Sequence, residues 1–189
     1  LLADLADLDQ VQAIGQALRE RDGALDGLLL NAGLQYAGHR QVRWSAQGLE
    51  LTIAVNHLAH QRLVMDLLPL LLRSHAPRLV ITASEVHNPA SGGGRVGRPA
   101  GLGDLSGLKK HSEMVNGERP FDADKAYKDS KLCNLLMGRH LAQLHPQLPV
   151  ICWSPGLVIP RGRDGFFRNS RQANPIGQAL FGVVARDLL

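Results

Sequence analysis

Sulfur is scarce in this chain of 189 residues: its cysteines are Cys133 and Cys152, and they form no CxxC pair. That spacing offers neither a disulfide framework nor a cysteine zinc site, and it fits reduced, buried thiols in a cytosolic-type compartment. Aromatic residues make up only 4% of the chain and the net charge is a modest +4. The arginines are scattered rather than striped with aromatics along one surface, so a nucleic-acid partner is not expected. The densest basic patch, Arg161, Arg163, Arg168 and Arg171, is expected to meet solvent or an anionic ligand. Long apolar runs are missing too. The strongest, Leu67-Leu68-Pro69-Leu70-Leu71-Leu72, falls far short of the ~20 residues a membrane-spanning helix requires. The eight histidines form no HExxH pattern and no Cys/His cluster, so no metal site is expected. The first residues, Leu1-Leu2-Ala3-Asp4, include neither a methionine nor a basic stretch ahead of an apolar run. No secretory signal is therefore visible, and a cytoplasmic location is the expectation.

Hydrophobic residues form 44% of the chain, enough for one globular domain across residues 1–189. From Asp9 to Arg21, the positions Val11, Ile14, Ala17 and Leu18 follow helical spacing, and Gly23 closes the segment. Leu25 to Leu30 reads as a short buried strand that runs into Asn31-Ala32-Gly33, small residues able to bring backbone close to a ligand. Ser45 is placed to cap a long helix carrying Leu49, Ile53, Leu58, Leu63 and Leu67, which Pro69 should bend or end. Asn56 falls in the middle of that helix, where asparagine is disfavoured. Arg78 to Ser84 and Pro149 to Trp153 read as further strands, with a helix from about Ala123 to His145 between them.

Helix and strand thus alternate, which predicts an α/β fold of the doubly wound, Rossmann-like kind, a parallel sheet with helices on both faces. Ligands of such sheets bind beyond the carboxyl ends of the strands, where Asn31, Ser84 and Pro155-Gly156 all fall. A glycine-rich insert at about 85–122, holding Gly92-Gly93-Gly94, is too long for a plain connector. It reads as a lid or specificity insert, or alternatively as a surface loop.

Chemistry enters with Tyr127 and Lys131. Four residues apart on a helix, their side chains project within about 40° of each other and can share a substrate. A free phenol ionises near pH ~10, so acid–base work at neutral pH needs a shift of about three units, or ~4 kcal/mol. One cation about 4 Å away at an effective dielectric of ~20 supplies that much. The bland alternative is an ordinary exposed helix face.

The surrounding residues decide between them. Asn31-Ala32-Gly33 after a strand, Asn56 in the next helix, Ser84 ending the next strand, Tyr127-x-x-x-Lys131, and Pro155-Gly156 after a further strand resemble the short-chain dehydrogenase/reductase family in order and spacing. The resemblance implies that Tyr127 exchanges a proton with the substrate, while Lys131 lowers its pKa and holds the nicotinamide ribose. Ser84 would hold the reacting oxygen, and Asn56 a water that relays protons to Lys131. Asn31, Ala32 and Gly33 would line the cofactor channel, Pro155 and Gly156 would stand behind the nicotinamide, and Asp4 would meet the adenine. As residues alone, Asp4 reads equally as a cap or surface acid.

Within that family, Ala126-Tyr127-Lys128-Asp129-Ser130-Lys131-Leu132-Cys133-Asn134, Asn56-His57-Leu58 and Gly103-Asp104-Leu105 look like the light-dependent protochlorophyllide oxidoreductase branch. This implies an NADPH-dependent enzyme that reduces a tetrapyrrole double bond, with NADP favoured over NAD, peripheral contact with photosynthetic membranes, and oligomers as an option. A dark carbonyl or alcohol reductase of retinol-dehydrogenase type is the alternative, and a non-catalytic cofactor- or pigment-binding module the second. Cys133 matches a cysteine that the branch places at the pigment site, yet it projects about 120° from Tyr127, which favours a packed thiol. Pro160 stands where the family has a threonine that bonds the cofactor, and proline offers neither hydroxyl nor N–H. The glycine-rich TGxxxGxG turn would lie ahead of Leu1, and the chain stops in a helical pattern that begins near Ala173. The sequence therefore reads as an internal part of a longer enzyme, with an exposed sheet edge and poor solubility alone.

Overall fold

A computed structural model describes residues 1–21, 23–156 and 175–176. The arginine patch, Pro160 and the helix expected near Ala173 lie outside the described residues. Helix α1 (Leu8–Arg19) starts where the Asp7 carboxylate accepts the Asp9 N–H at 3.0 Å. Strand β1 (Gly27–Leu30) follows, shorter than the expected run from Leu25. Helix α2 (Leu51–Ile53) passes through a π turn (Ala54–Leu58) into α3 (Ala59–Leu72). Strand β2 (Arg78–Thr82), a single 3₁₀ turn (Glu85–His87), helix α4 (Ala123–Leu144) and strand β3 (Val150–Trp153) complete the order.

The three strands are parallel in the order β1-β2-β3, with Leu30 beside Ile81 and Ile81 beside Cys152. Side chains alternate across a strand, so Leu30, Leu79 and Ile81 point to one face. There they pack with Val64, Leu71 and Leu141 from the helical layer and with Leu148 from the connection before β3. Helix α4 can approach closely because Gly138 faces the sheet. A Cβ at that position would stand 2.2 Å from the Cys152 sulfur. The other face carries Leu29, Ile151 and Trp153, which are 62%, 47% and 43% exposed. The Rossmann-like parallel sheet is the one expected, and among the described residues the helical layer lies on the Leu30 face.

Two further expectations change. Ser45 does not cap the long helix. Its hydroxyl instead accepts the Leu49 N–H at 3.1 Å within a turn whose Gly48 has φ +73°. Glu50 is the cap, accepting the N–H groups of Thr52 and Ile53 at 2.9 Å each. Pro69 does not end α3, which runs on to Leu72. Proline removes the bond to the carbonyl four residues back, and both Pro69 and Met65 lie on the exposed side, where water can satisfy that carbonyl.

Candidate functional site

The carboxyl ends of the strands are tied together by Thr82. Its hydroxyl donates to Asn31 Oδ1 at 2.9 Å and accepts the Trp153 indole N–H at 3.1 Å. Its carbonyl accepts Lys131 Nζ at 3.0 Å. One residue thus fixes β1, β3 and the lysine around a common opening. Sequence reasoning passed over Thr82, since nothing marks one strand residue as a hub.

Three of the expected residues, Ser84, Tyr127 and Lys131, come together at this opening. Tyr127 and Ser84 are joined by a side-chain hydrogen bond. Lys131 Nζ lies 5.6 Å from the centre of the Tyr127 ring. Ser84 leaves β2 in extended backbone, and the following N–H, of Glu85, donates to Ser154 Oγ at 3.2 Å. Asn56 is buried and bonded on several sides. Its Oδ1 accepts the Leu34 N–H at 2.8 Å, and its Nδ2 donates to the Leu34 carbonyl at 2.9 Å and Ser130 Oγ at 3.1 Å. Its backbone carbonyl accepts Asn134 Nδ2 at 2.9 Å. Asn56 is therefore a clamp between the segment after Asn31-Ala32-Gly33 and α4.

Burial sets the electrostatics. Lys131 is 3% exposed, and loss of hydration pulls its pKa from 10.5 down to about 8. Tyr127 is pushed up to about 12 by burial, against a smaller lowering by the Ser84 hydrogen bond. The expected lowering of the phenol by Lys131 does not enter this balance, in which burial of the phenolate is opposed by the Ser84 bond. Cys133 is likewise raised to about 12 by burial, which makes it a packed, unreactive thiol.

Cys133 also lines a cavity of about 400 Å³ between α3, α4 and the insert, with His57, Leu105 and Met137 among its walls. This cavity lies on another side of α4 from Tyr127: at about 100° per residue, Cys133 and Met137 project roughly 120° and 80° away from the phenol. His57 is held by Asn134, whose Oδ1 lies 3.0 Å from Nδ1, and burial lowers its pKa.

Asn31 and Ala32 are exposed at the mouth of the opening, and Gly33 lies beneath them. A Cβ on Gly33 would stand 3.3 Å from Asn56 Oδ1 and 3.7 Å from Lys131 Nζ, so the bare glycine keeps this floor open. Pro155 and Gly156 are exposed just past β3. Asp4 serves its local turn: one carboxylate oxygen accepts the Ala6 N–H at 2.9 Å, and its own N–H donates to Gln10. These residues fit the nicotinamide-ribose half of a dinucleotide. Lys131 donates one N–H to the Thr82 carbonyl, and a primary ammonium has two more that ribose hydroxyls could take. Among the described residues, no group of three or more His, Cys, Asp or Glu side chains is placed to hold a metal. No helix among them is long and apolar enough to cross a membrane.

A parallel sheet with a tyrosine, lysine and serine gathered at its carboxyl edge defines a Rossmann-like dehydrogenase fold. The chain belongs to the short chain dehydrogenase family, whose profile matches residues 1–94. Protochlorophyllide reductase of Avena sativa is 41% identical over 170 residues, 84% of this chain and 54% of that protein. Protochlorophyllide reductase A of Oryza sativa subsp. japonica, a chloroplastic protein, is 40% identical over 84% of this chain and 44% of its own length. The chain thus spans about half the length of the curated relatives it matches. Among solved structures, a short chain dehydrogenase of Escherichia coli CFT073 complexed with NADPH superposes with a TM-score of 0.59 at 27% identity, over 93% of this chain and 59% of that one. A protein from Mycobacterium paratuberculosis gives a TM-score of 0.61 at 26% identity, over 90% and 52%.

Proposed function

We propose that this chain is the catalytic part of an NADPH-dependent oxidoreductase that reduces a carbon–carbon double bond of a tetrapyrrole, in the manner its relatives' name, protochlorophyllide reductase, describes. The observation that carries the reading is the phenol of Tyr127, hydrogen-bonded to Ser84 and flanked by the ammonium of Lys131. NADPH, when bound, would supply the hydride for one carbon of the double bond. Tyr127 delivers the proton to the neighbouring carbon. Two C–H bonds form as the π bond is lost, and the resulting phenolate regains its proton from solvent.

A phenol with pKa about 12 is fully protonated at neutral pH, the state a proton donor requires. The phenolate left behind gains about 3 kcal/mol from an ammonium about 5–6 Å away at an effective dielectric of ~20. Ser84 then orients the phenol. Lys131 would hold the nicotinamide ribose with its two spare N–H bonds, Asn31, Ala32 and Gly33 would line that channel, and Pro155 and Gly156 would stand behind the ring. Asp4 would reach the adenine only by leaving its turn. The proposal treats residues 1–189 as part of one domain, with 85–122 as its substrate-side insert.

The test uses the complete protein with NADPH and protochlorophyllide under illumination. The expected result is the light-dependent spectral change of pigment reduction. No change, together with turnover of a retinoid, steroid or quinone carbonyl in the dark, would replace the pigment reading with a carbonyl reductase of the same family. Binding of NADPH and pigment without turnover of any substrate would point to a catalytically silent module.

A further inference from the structure

The segment after Ser84 returns to α4 and is tied down there. Lys128, 4% exposed, donates from Nζ to the carbonyls of Gly94 at 3.1 Å, Val96 at 2.5 Å and Arg98 at 2.9 Å. Lys125 and Asp129 hold the next stretch. Lys125 Nζ donates to the Gly101 carbonyl at 2.8 Å and to Asp129 Oδ2 at 2.6 Å, while Asp129 Oδ1 accepts the Gly101 N–H at 2.8 Å. A buried ammonium is tolerated only when its N–H bonds are taken, and three backbone carbonyls take them here. Beyond the 3₁₀ turn Glu85–His87, no helix or strand lies between β2 and α4. The path of 94–101 is therefore fixed by these side chains rather than by a backbone ladder.

Position gives the cage its meaning. Lys128 follows Tyr127 directly and projects about 100° from it, beside the reacting face rather than on it. The loop leaves the site at Ser84 and is caught again one residue beyond Tyr127. Both its ends thus lie next to the Ser84 and Tyr127 hydroxyls, which would face the substrate's double bond. Segments that follow a strand's carboxyl end form the walls of ligand sites in parallel sheets.

We propose that Lys128 is a positioning residue: by caging the carbonyls of Gly94, Val96 and Arg98 it sets the wall of the substrate site, and so which substrates reach Tyr127, without touching them. This rests on the oxidoreductase reading above. Charge-assisted hydrogen bonds are roughly twice as strong as neutral ones, so an apolar side chain of similar length releases the loop and strands three carbonyls.

The complete protein and its Lys128→Met and Lys128→Arg variants are compared by hydrogen exchange of amides 94–101, by NADPH affinity, and by kcat and KM for protochlorophyllide and for a small aldehyde. In Lys128→Met, exchange should quicken and KM for the pigment rise by about tenfold each, with NADPH affinity, kcat and the aldehyde KM within about threefold. Lys128→Arg, which keeps the charge, should fall between. Unchanged exchange and KM would overturn the proposal. So would a parallel loss of NADPH affinity and of both KM values, which marks a merely structural residue. If the wild type turns over neither substrate, the function reading fails, and exchange together with pigment binding by absorbance still decides the role of Lys128. If Lys128→Met does not fold, the same comparisons on Lys128→Arg decide it.

Discussion

Lys131 should make stability and function respond to pH in opposite directions. Its pKa falls from 10.5 to about 8 because burial strips water from the ammonium. A shift of that size corresponds to about 3 kcal/mol between protonation states. Above pH 8 the folded protein releases this proton, whereas the unfolded chain keeps it until about pH 10.5. The unfolded state then binds more protons, so the lysine's contribution to stability rises with pH from about 8 to about 10.5. Cofactor binding should move the other way, since a neutral amine loses a charge-assisted bond to the ribose. Cys133 and Tyr127, both raised to about 12, oppose the stability trend at higher pH, so the difference between wild type and Lys131→Met isolates the lysine. Denaturant titrations of the two complete proteins between pH 7 and 10 should show wild type gaining about 2–3 kcal/mol relative to the variant. NADPH affinity of the wild type should weaken above pH 8 and that of the variant stay flat. Parallel stability curves would refute the burial argument, and a pH-independent wild-type affinity would remove Lys131 from the cofactor site.

Tyr127→Phe keeps the ring and removes the proton donor, so kcat should fall at least about 10²-fold while the pigment dissociation constant changes little, read by single-turnover kinetics and fluorescence titration. Gly138→Ala gains about 0.5–1 kcal/mol of helix propensity but drives a methyl to 2.2 Å from Cys152 Sγ, for a net loss of about 1–2 kcal/mol. Adding Cys152→Ala should recover much of it, and strictly additive losses in urea unfolding would reject the contact. Glu50→Ala strands the Tyr36 hydroxyl and the N–H groups of Thr52 and Ile53, which Glu50 accepts at 2.6, 2.9 and 2.9 Å. The melting temperature should drop by the equivalent of about 2–4 kcal/mol, with Glu50→Gln intermediate.

What sequence could show here follows from how local each signal is. Helix α4 was legible to within a residue because Asp122 caps it and a long apolar pattern fills it. The strands were legible as β-branched and leucine runs ending in small or polar residues, and the order Asn31, Asn56, Ser84, Tyr127, Lys131 carried over into one opening. The start of the second helix was misplaced because Ser45 and Glu50 are both acceptable caps, and only the left-handed Gly48 turn decides between them. The contacts made by Thr82, Ser130, Asn134 and Lys128 were illegible for a different reason. Their partners are 30 or more positions away in sequence, so their roles exist only once the chain has folded. Unbroken apolar runs such as Leu28-Leu29-Leu30 do not say which face is covered, and the exposure of Leu29 and Ile151 depends on what stacks above them.

The disfavoured asparagine in the middle of a helix proves the most informative of these signals, though for a reason no propensity scale contains. A π turn holds one residue more than an α-helical turn and leaves a backbone carbonyl without its helical N–H. Asn56 sits in that turn, and its carbonyl accepts the Asn134 side chain, three residues beyond Lys131. Its side chain meanwhile bonds Ser130, one residue before Lys131, and both backbone groups of Leu34. Lys131 is therefore bracketed from both sides by one residue of the neighbouring helix, and the Asn31-Ala32-Gly33 turn is locked to the same point. In a regular helix the same carbonyl would serve its own ladder as well, so the π turn leaves it freer to accept the Asn134 side chain. The irregularity that weakens the helix locally is what registers the lysine against the turn it must share with a cofactor.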